Sequence, residues 1–412
     1  MCGRLGSIGT PAVRIDTKTV RQRFSIAVVT SIHIDFDSRI WKHCTSLTQA
    51  GYEVHLICPW HVMDGKILKG IRMHTFPRVS ARIWRALLIP SRVFGKLFPI
   101  LKKVNIVHFH DIDLLPWMVM ISLFKPVVYD VHENYPEEML VRDWIPPLLR
   151  TLLYHVVHWF QYLASSVIHN IVLVADSQEK HFDLNRMQVL YLRNYATLDL
   201  ISETKQDYLQ RPDTIIFTGS SYESNGTLLL LEIAKQVKSR FPHIKFLMAD
   251  RFDGQSLREA FIKRIEAEGL NDTVELFPNL LPHKLMTVLN KATIAISPNL
   301  RVMQQEMLIP TKLFEYMAAG LPIVASDLPY ATRLFSRHPI GLLAQPENPA
   351  SFVQTIAKLI EDRSLALELG KNGQRIFQAE YSWESQVQTL LAFYDNLLKK
   401  SANFSTALKE EI

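Results

Sequence analysis

Apolar residues in this chain fall in short bursts, separated by stretches whose apolar positions recur every three or four residues. Residues 25–30 (Ser-Ile-Ala-Val-Val-Thr) are such a burst, with the unbroken pattern of a strand covered on both faces. A helical pattern follows over 37–50 and stops at Gly51, a natural C-terminal signal. Further strands are predicted at 52–58, 105–110, 126–129 and 171–175. After a polar stretch over 198–213 the alternation restarts, with strands at 215–218, 245–249, 274–277, 293–297 and 323–325. Helices are predicted between them at 227–240, 255–268, 282–291 and 311–319. Strands separated by helices imply βαβ units, hence parallel sheets with both faces covered. Two successive doubly wound domains joined by the polar stretch are the economical reading. Two helical patterns over 348–379 and a longer one over 383–399 close the chain.

At 412 residues the chain is long enough for two separate cores. Its 48% hydrophobic and 21% charged residues are those of an ordinary globular protein. The net charge of +6 suits anionic substrates or an anionic membrane surface. Cys2, Cys44 and Cys58 give neither a disulfide framework nor paired metal spacing, so a reducing cytosol fits best. The first 23 residues carry four arginines without the apolar core of a signal peptide, and are expected to be a disordered tail. No stretch reads as a membrane span; the nearest, 144–175, is broken by Pro146, Pro147, Arg150 and several histidines. Residues 81–103 interleave Trp84, Phe94 and Phe98 with Arg82, Arg85, Arg92, Lys96, Lys102 and Lys103. That mixture suits an anionic membrane surface as well as it suits helices packed on a sheet with solvated basic faces. No nucleic-acid-binding motif accompanies the charge.

Open parallel sheets bind ligands beyond the carboxyl ends of their strands, which makes the polar residues there the first candidates for chemistry. After the first strand come His33, Asp35 and Asp37, with no Gly-rich dinucleotide loop; Asp37 reads as a helix N-cap. The strand at 105–110 ends in His108-Phe-His110-Asp111-Ile-Asp113. Alternation sets both histidines on one side and puts His110 and Asp111 at the open end, which fits a structural role or a metal cluster. Asp130-Val-His132-Glu133 follows the next strand, and its last two residues can orient hydroxyls or exchange protons. Ser177, after the strand at 171–175, is expected to cap a helix. In the second half, Phe217-Thr218-Gly219-Ser220-Ser221 lets backbone N–H groups approach an anionic oxygen. Most informative is 309–326, in which Pro310 suits the first positions of a helix and Thr311 can cap it. Free N–H groups and the helix dipole there attract phosphate, Lys312 adds a point charge, and Glu315 can accept from sugar hydroxyls.

The run Lys312-Leu-Phe-Glu-Tyr-Met-Ala-Ala-Gly-Leu-Pro-Ile-Val-Ala-Ser326 is very similar to the donor-site segment of family 4 glycosyltransferases, retaining enzymes of the GT-B fold. The resemblance extends over most of the chain. It implies an α/β protein with two Rossmann-like doubly wound domains facing each other across a cleft. The expected division is a tail (1–23), an acceptor domain (24–198), a linker (199–213), a donor domain (214–381), a helix crossing back (382–399) and a tail (400–412). The implied activity is transfer of a hexosyl group from a nucleoside diphosphate sugar to a hydroxyl acceptor, with retention and without cofactor or metal. The implied setting is cell-surface polysaccharide or glycolipid synthesis. Implied donor-binding residues are Gly219, Ser220, Arg301, Pro310, Thr311, Lys312 and Glu315. Implied catalytic residues are His110, Asp111, His132 and Glu133, with His110 near the reacting sugar. The implied partners are the nucleotide sugar, a saccharide or lipid-linked acceptor and an anionic membrane surface, for a cytoplasmic protein peripheral to the inner face of the plasma membrane.

Two departures from the family pattern stand out. The Arg and Lys that follow the strand-Gly turn in relatives are replaced by Ser220, Ser221, Asn225 and Gly226, leaving the charge to Lys312 and Arg301. The paired glutamates reduce to Glu315, because Met307 lies eight positions before it and Glu306 nine. They keep two rivals open: a nucleotide-sugar epimerase of the same fold, and a catalytically inactive GT-B-like binding protein.

Overall fold

The computed structural model describes residues 21, 24–32, 38–60, 64–78, 82–142, 144–201, 208–278 and 282–410. His33, Asp35 and Asp37, and residues 202–207 of the expected linker, lie outside them. Of the tail expected over 1–23, Arg21 and the positions around it enter the description only at residue 21, where the guanidinium forms a salt bridge with Asp395 at 2.6 Å. The chain divides into two units. The first comprises residues up to Leu173, Glu179–Leu190 and everything from Thr389; the second comprises Val174–Gln178 and Tyr191–Gln388.

The first unit is built on an eight-stranded sheet of order β3-β4-β2-β1-β5-β6-β7-β8. Its strands are β1 (Ser25–Val29), β2 (Glu53–Pro59), β3 (Ile67–Leu68), β4 (Ile71–Phe76), β5 (Ile106–Phe109), β6 (Val127–Val131), β7 (Asn170–Leu173) and β8 (Gln188–Tyr191). β1, β5 and β6 are neighbours, run parallel and are buried throughout, as their unbroken apolar bursts require. Around them lie α1 (Ser38–Gln49), α2 (Arg82–Leu97), α3 (Leu115–Ser122), α4 (Tyr135–Val141) and α5 (Pro147–Ile168). Phe109, Met118, Tyr129 and Ile168 meet in one core, each such burial contributing about 1.5–3 kcal/mol relative to exposure. On α1 the buried positions are Arg39, Ile40, His43, Cys44, Ser46 and Leu47, so the helical period that buries Ile40 and Leu47 also carries Arg39 and His43 inward.

The second unit holds a six-stranded parallel sheet of order β11-β10-β9-β12-β13-β14. The strands are β9 (Thr214–Phe217), β10 (Lys245–Asp250), β11 (Val274–Pro278), β12 (Ile294–Ser297), β13 (Ile323–Ser326) and β14 (Gly341–Ala344). Its helices are α6 (Thr227–Arg240), α7 (Gln255–Ala267), α8 (Pro282–Leu289), α9 (Met303–Met307), α10 (Thr311–Ala318), α11 (Pro329–Arg337), α12 (Pro349–Glu361) and α13 (Arg363–Ile376). Gly226, at the start of α6, has φ +76°, and a Cβ there would meet the Pro298 carbonyl oxygen at 1.9 Å. Only glycine satisfies both the left-handed backbone and that approach.

The last helix, α14 (Trp383–Glu410), is longer than expected: residues 400–410, read as a frayed tail, are helical. It begins in the second unit, where the Trp383 N–H donates to the Ala196 carbonyl, and continues in the first from Thr389. Leu390, Tyr394 and Leu397 lie on its buried side, three and four apart, with Trp383, Leu391, Phe393 and Leu398 buried as well. β8 and β14 escaped the sequence pattern because they lie at sheet edges, where strands are half-covered and lack a continuous apolar run. β3, β4 and α11 were likewise not anticipated.

Candidate functional sites

In the first unit, polar residues gather at the carboxyl ends of β1, β5 and β6. The Asp130 carboxylate, fully buried on β6, is their hub. Arg39 of α1 reaches it at 3.0 Å, both side chains being almost wholly inaccessible. His108 Nε2–H donates to Asp130 at 3.3 Å, which leaves Nδ1 bare to accept the Tyr394 hydroxyl at 2.7 Å. The Tyr394 oxygen in turn accepts from His43 Nε2–H at 3.0 Å. That sequence of donors makes His43 Nδ1 a lone pair, in keeping with its having no hydrogen-bond partner among the described residues. His110 Nδ1 lies 2.8 Å from His132 Nε2 and 3.4 Å from Asp130. His132 is partly accessible, so the network runs inward from His132 through His110 and Asp130 to Arg39, and Glu133, next in the chain, is exposed.

The electrostatics keep the interior imidazoles neutral. Burial pushes His43, His108 and His110 below the usual histidine range, outweighing the attraction of Asp130. Burial also opposes the charge of Asp130, yet the Arg39 guanidinium and the surrounding histidines prevail and hold it well below the usual carboxylate range. These shifts fix a pH dependence. Each histidine stays neutral folded but takes up a proton unfolded below about 6.5, so its contribution is full above that pH and lost beneath it. Stability is expected to fall between about pH 6.5 and 5 by up to about 1.4 kcal/mol per pH unit for each of the three. Denaturant midpoints measured across that range test this, and a flat profile would refute the neutral cluster.

Two groups of nitrogen and oxygen atoms here lie within 4.8 Å of one another: those of His43, His108 and His110, and those of His110, Asp130 and His132. Both include atoms engaged in the hydrogen bonds just described, which organise them without requiring a cation. Asp111 is anchored differently. Its Oδ2 accepts from the Thr30 hydroxyl at 2.7 Å and from the Ser31 N–H at 2.6 Å, tying the loop after β1 to the loop after β5.

In the second unit the corresponding edge is formed by β9, β12 and β13. Tyr316 of α10 stitches two of these strands together: its hydroxyl oxygen accepts from the Thr218 N–H at 2.9 Å and donates to the Ile296 carbonyl at 3.2 Å. The Thr218 hydroxyl donates to Glu315 at 3.3 Å. Pro310 is the N-cap of α10, and among the described residues no side chain caps this end. Lys312 is buried, its ammonium donating to Asn299 Oδ1 at 3.2 Å and lying 4.5 Å from the Phe217 ring centre. Burial lowers its pKa to about 7, against the opposing influence of Glu315. Asn299 Nδ2 donates to Gln305, whose amide donates to Ser224 at 3.2 Å and Asn225 at 2.9 Å. Asn225 donates in turn to the Ser220 carbonyl at 2.7 Å. This chain of amides links the Gly219–Gly226 turn to α10, beside a small recess lined by Asn299, Gln305, Pro310, Ser326 and Tyr330.

Several expectations change. Thr311 is the first residue of α10 rather than its cap. Lys312 is an interior lysine, not a point charge at an open tip. Arg301 is exposed, but its guanidinium donates to the Asp327 carbonyl at 3.0 Å. Ser177 lies inside the short 3-10 helix Asp176–His181, and its hydroxyl donates to the Met307 carbonyl at 3.1 Å. His110 and Asp111, expected at an open end, are buried. Gly219 keeps its anticipated role as a turn residue, at φ +95°. Sequence reasoning missed His43, Tyr394 and Asn299, because each is joined to its site by contacts distant in the chain.

Residues 202–376 match the family described as Glycosyl transferases group 1. The chain is 22% identical over 217 residues to phosphatidyl-myo-inositol mannosyltransferase of Mycobacterium leprae (strain TN), covering 52% of this chain and 55% of that protein. It spans about half the length of the curated relatives it matches. Among solved structures, sucrose-phosphate synthase from Thermosynechococcus elongatus aligns with a TM-score of 0.72 at 15% identity, over 92% of this chain and 100% of that one. HepE from Anabaena, solved in complex with UDP and glucose, aligns with a TM-score of 0.70 at 11% identity, over 90% and 100%. The fold they share is GT-B, with two parallel-sheet α/β units.

Proposed function

We propose that this chain, which carries a glycosyl transferases group 1 domain over residues 202–376, moves a sugar from a nucleoside diphosphate sugar to a hydroxyl of a saccharide or lipid-linked acceptor. The observation that carries the proposal is the uncapped N-terminus of α10, with Lys312 and Glu315 in its first turns and the Gly219 turn tied to it through Asn299. Helix-terminal amides and a lysine suit a diphosphate, and a carboxylate one turn on suits ribose hydroxyls. The UDP and glucose of the HepE structure support the same class of donor. In this reading the departing diphosphate is neutralised by that helix end and Lys312, without cofactor or metal. Of His110, Asp111, His132 and Glu133, the accessible two, His132 and Glu133, meet the acceptor in this reading, while His110 acts through His132. Retention of configuration, a hexosyl donor, and a place in cell-surface polysaccharide or glycolipid synthesis at the cytoplasmic face of the membrane complete the proposal. Among the described residues no helix is long and apolar enough to cross a membrane.

Calorimetric titration with UDP, GDP and ADP tests the donor site, and a transfer assay tests the reaction. One nucleoside diphosphate is expected to bind, and Glu315→Ala to weaken it by about tenfold, the worth of one hydrogen bond to a charged group. Free nucleotide is expected only when an acceptor is present. Epimerisation of the donor without acceptor would make the protein an epimerase, and failure to bind any of the three would make it a non-catalytic binder.

A further inference from the structure

Three side chains of the first unit, Glu137, His158 and His181, form a cluster that the sugar-transfer reading does not use. Its hub is the Glu137 carboxylate, buried on the first turn of α4. That carboxylate lies 2.9 Å and 3.1 Å from Nε2 of His181, the residue that ends the 3-10 helix Asp176–His181. On its other side His181 presents Nδ1 to Nδ1 of His158, on α5, at 2.9 Å. His181 is buried and His158 half-buried, and the Tyr154 ring packs against both, 6.3 Å from each between centres. The Lys180 ammonium reaches Glu137 from the surface at 2.7 Å.

The carboxylate decides the tautomers. An ionised carboxylate only accepts, so His181 Nε2 carries the proton and its Nδ1 is a lone pair. His158 Nδ1–H therefore donates across the 2.9 Å gap. A carboxylate behind a histidine, fixing its tautomer and raising its basicity, is the arrangement of metal-ligating histidines. Two nitrogens bound to one zinc ion at about 2.0–2.1 Å stand about 3.3 Å apart at the tetrahedral angle. The pair is a few tenths of an ångström short of that spacing, and His158 has only to pass its proton to Nε2 to offer a second lone pair. We propose that His158 Nδ1 and His181 Nδ1 bind a late first-row divalent ion such as zinc, nickel or copper, with water completing the shell and Glu137 orienting His181. Imidazole nitrogen suits these ions, whereas magnesium and calcium take oxygen ligands. The half-exposed His158 gives the ion its way in. The bound ion ties α5 to the 3-10 helix and, through His181 and Glu137, to α4. Protons compete for the same lone pairs. Burial lowers the His158 pKa, helped by the positive charges of His181, His155 and Lys180 and opposed by Glu137, so at about pH 7.5 His158 holds no second proton to be displaced.

The test is calorimetric titration of the full chain with zinc chloride at about pH 7.5, beside electron paramagnetic resonance with copper(II). Zinc is expected to bind with micromolar affinity, and the copper spectrum to show splitting from two imidazole nitrogens. His158→Ala is expected to weaken zinc binding by at least about tenfold and to take one nitrogen out of the spectrum. Its half-exposed position leaves the fold intact, as circular dichroism checks. Glu137→Gln, which removes the charge behind His181, is expected to weaken binding by about tenfold. At about pH 5.5 the affinity of the unmodified chain is expected to be at least about tenfold lower. Failure of the full chain to bind zinc, undiminished binding by either variant, or an affinity indifferent to pH would overturn the inference and leave the pair a hydrogen bond alone. No nucleotide or acceptor enters these measurements, so their outcome is independent of the sugar-transfer reading.

Discussion

Asp130→Ala is expected to cost the first unit about 3–5 kcal/mol, enough to leave much of it unfolded. The carboxylate pairs with Arg39, and the guanidinium is buried with it. Removing one partner strands the other charge away from water and also takes the acceptor from His108. The His108 tautomer then loses its constraint, and with it the Tyr394 and His43 hydrogen bonds. A urea titration of the variant measures the loss. The double variant Arg39→Met/Asp130→Leu removes both charges and should regain a large part of it, because an apolar pair of similar volume avoids the desolvation of two ions. A double variant no more stable than Asp130→Ala would show that the ion pair is not what makes the single change costly.

Lys312→Met is expected to do two opposite things. With a pKa lowered to about 7, Lys312 is mostly neutral when folded at pH 8, whereas in the unfolded chain it remains protonated. The unfolded state therefore binds more protons, and stability rises with pH between about 7 and 10.5. Below that window the buried ammonium opposes folding, so methionine should stabilise the protein by roughly 2 kcal/mol at neutral pH. The full value of the shift is not recovered, since the hydrogen bond to Asn299 and the contact with Phe217 go with the amine. Nucleoside diphosphate affinity is expected to fall by at least about tenfold in the same variant, as a charge-assisted contact is lost. Binding by the unmodified protein at pH 8 should take up protons, which calorimetry in buffers of different ionisation enthalpy detects. Proton-independent binding with unaltered affinity in Lys312→Met would remove the lysine from the donor site.

Much of the fold was legible because parallel strands buried on both faces announce themselves as apolar runs: β1, β5, β9 and β12 fall within a residue or so of their expected limits. The edge strands β8 and β14 were not, since half-covered strands carry no such signal. Of the candidate site, the residues adjacent to strand ends were findable because position along a strand sets which residues emerge at its carboxyl end. Burial was not findable in that way. His110 and Lys312 sit where the pattern put them, but whether each faces solvent depends on what α1, α14 and the loop at Asn299 lay over them. Arg39 and Asp130, and Tyr394 and His108, are joined across separations of 91 and 286 residues, and no local pattern connects them.

The division of α14 between the two units bears on how the chain is made. A ribosome that has released the first 191 residues has delivered every strand of the first sheet but not Tyr394, which supplies the hydroxyl between His43 and His108. Until α14 emerges, those two imidazoles lack the hydroxyl that joins them, and the surfaces that Leu390 and Leu397 will cover stay wet. The earlier half of the molecule is thus the later to mature, waiting through synthesis of the whole second sheet for its closing piece.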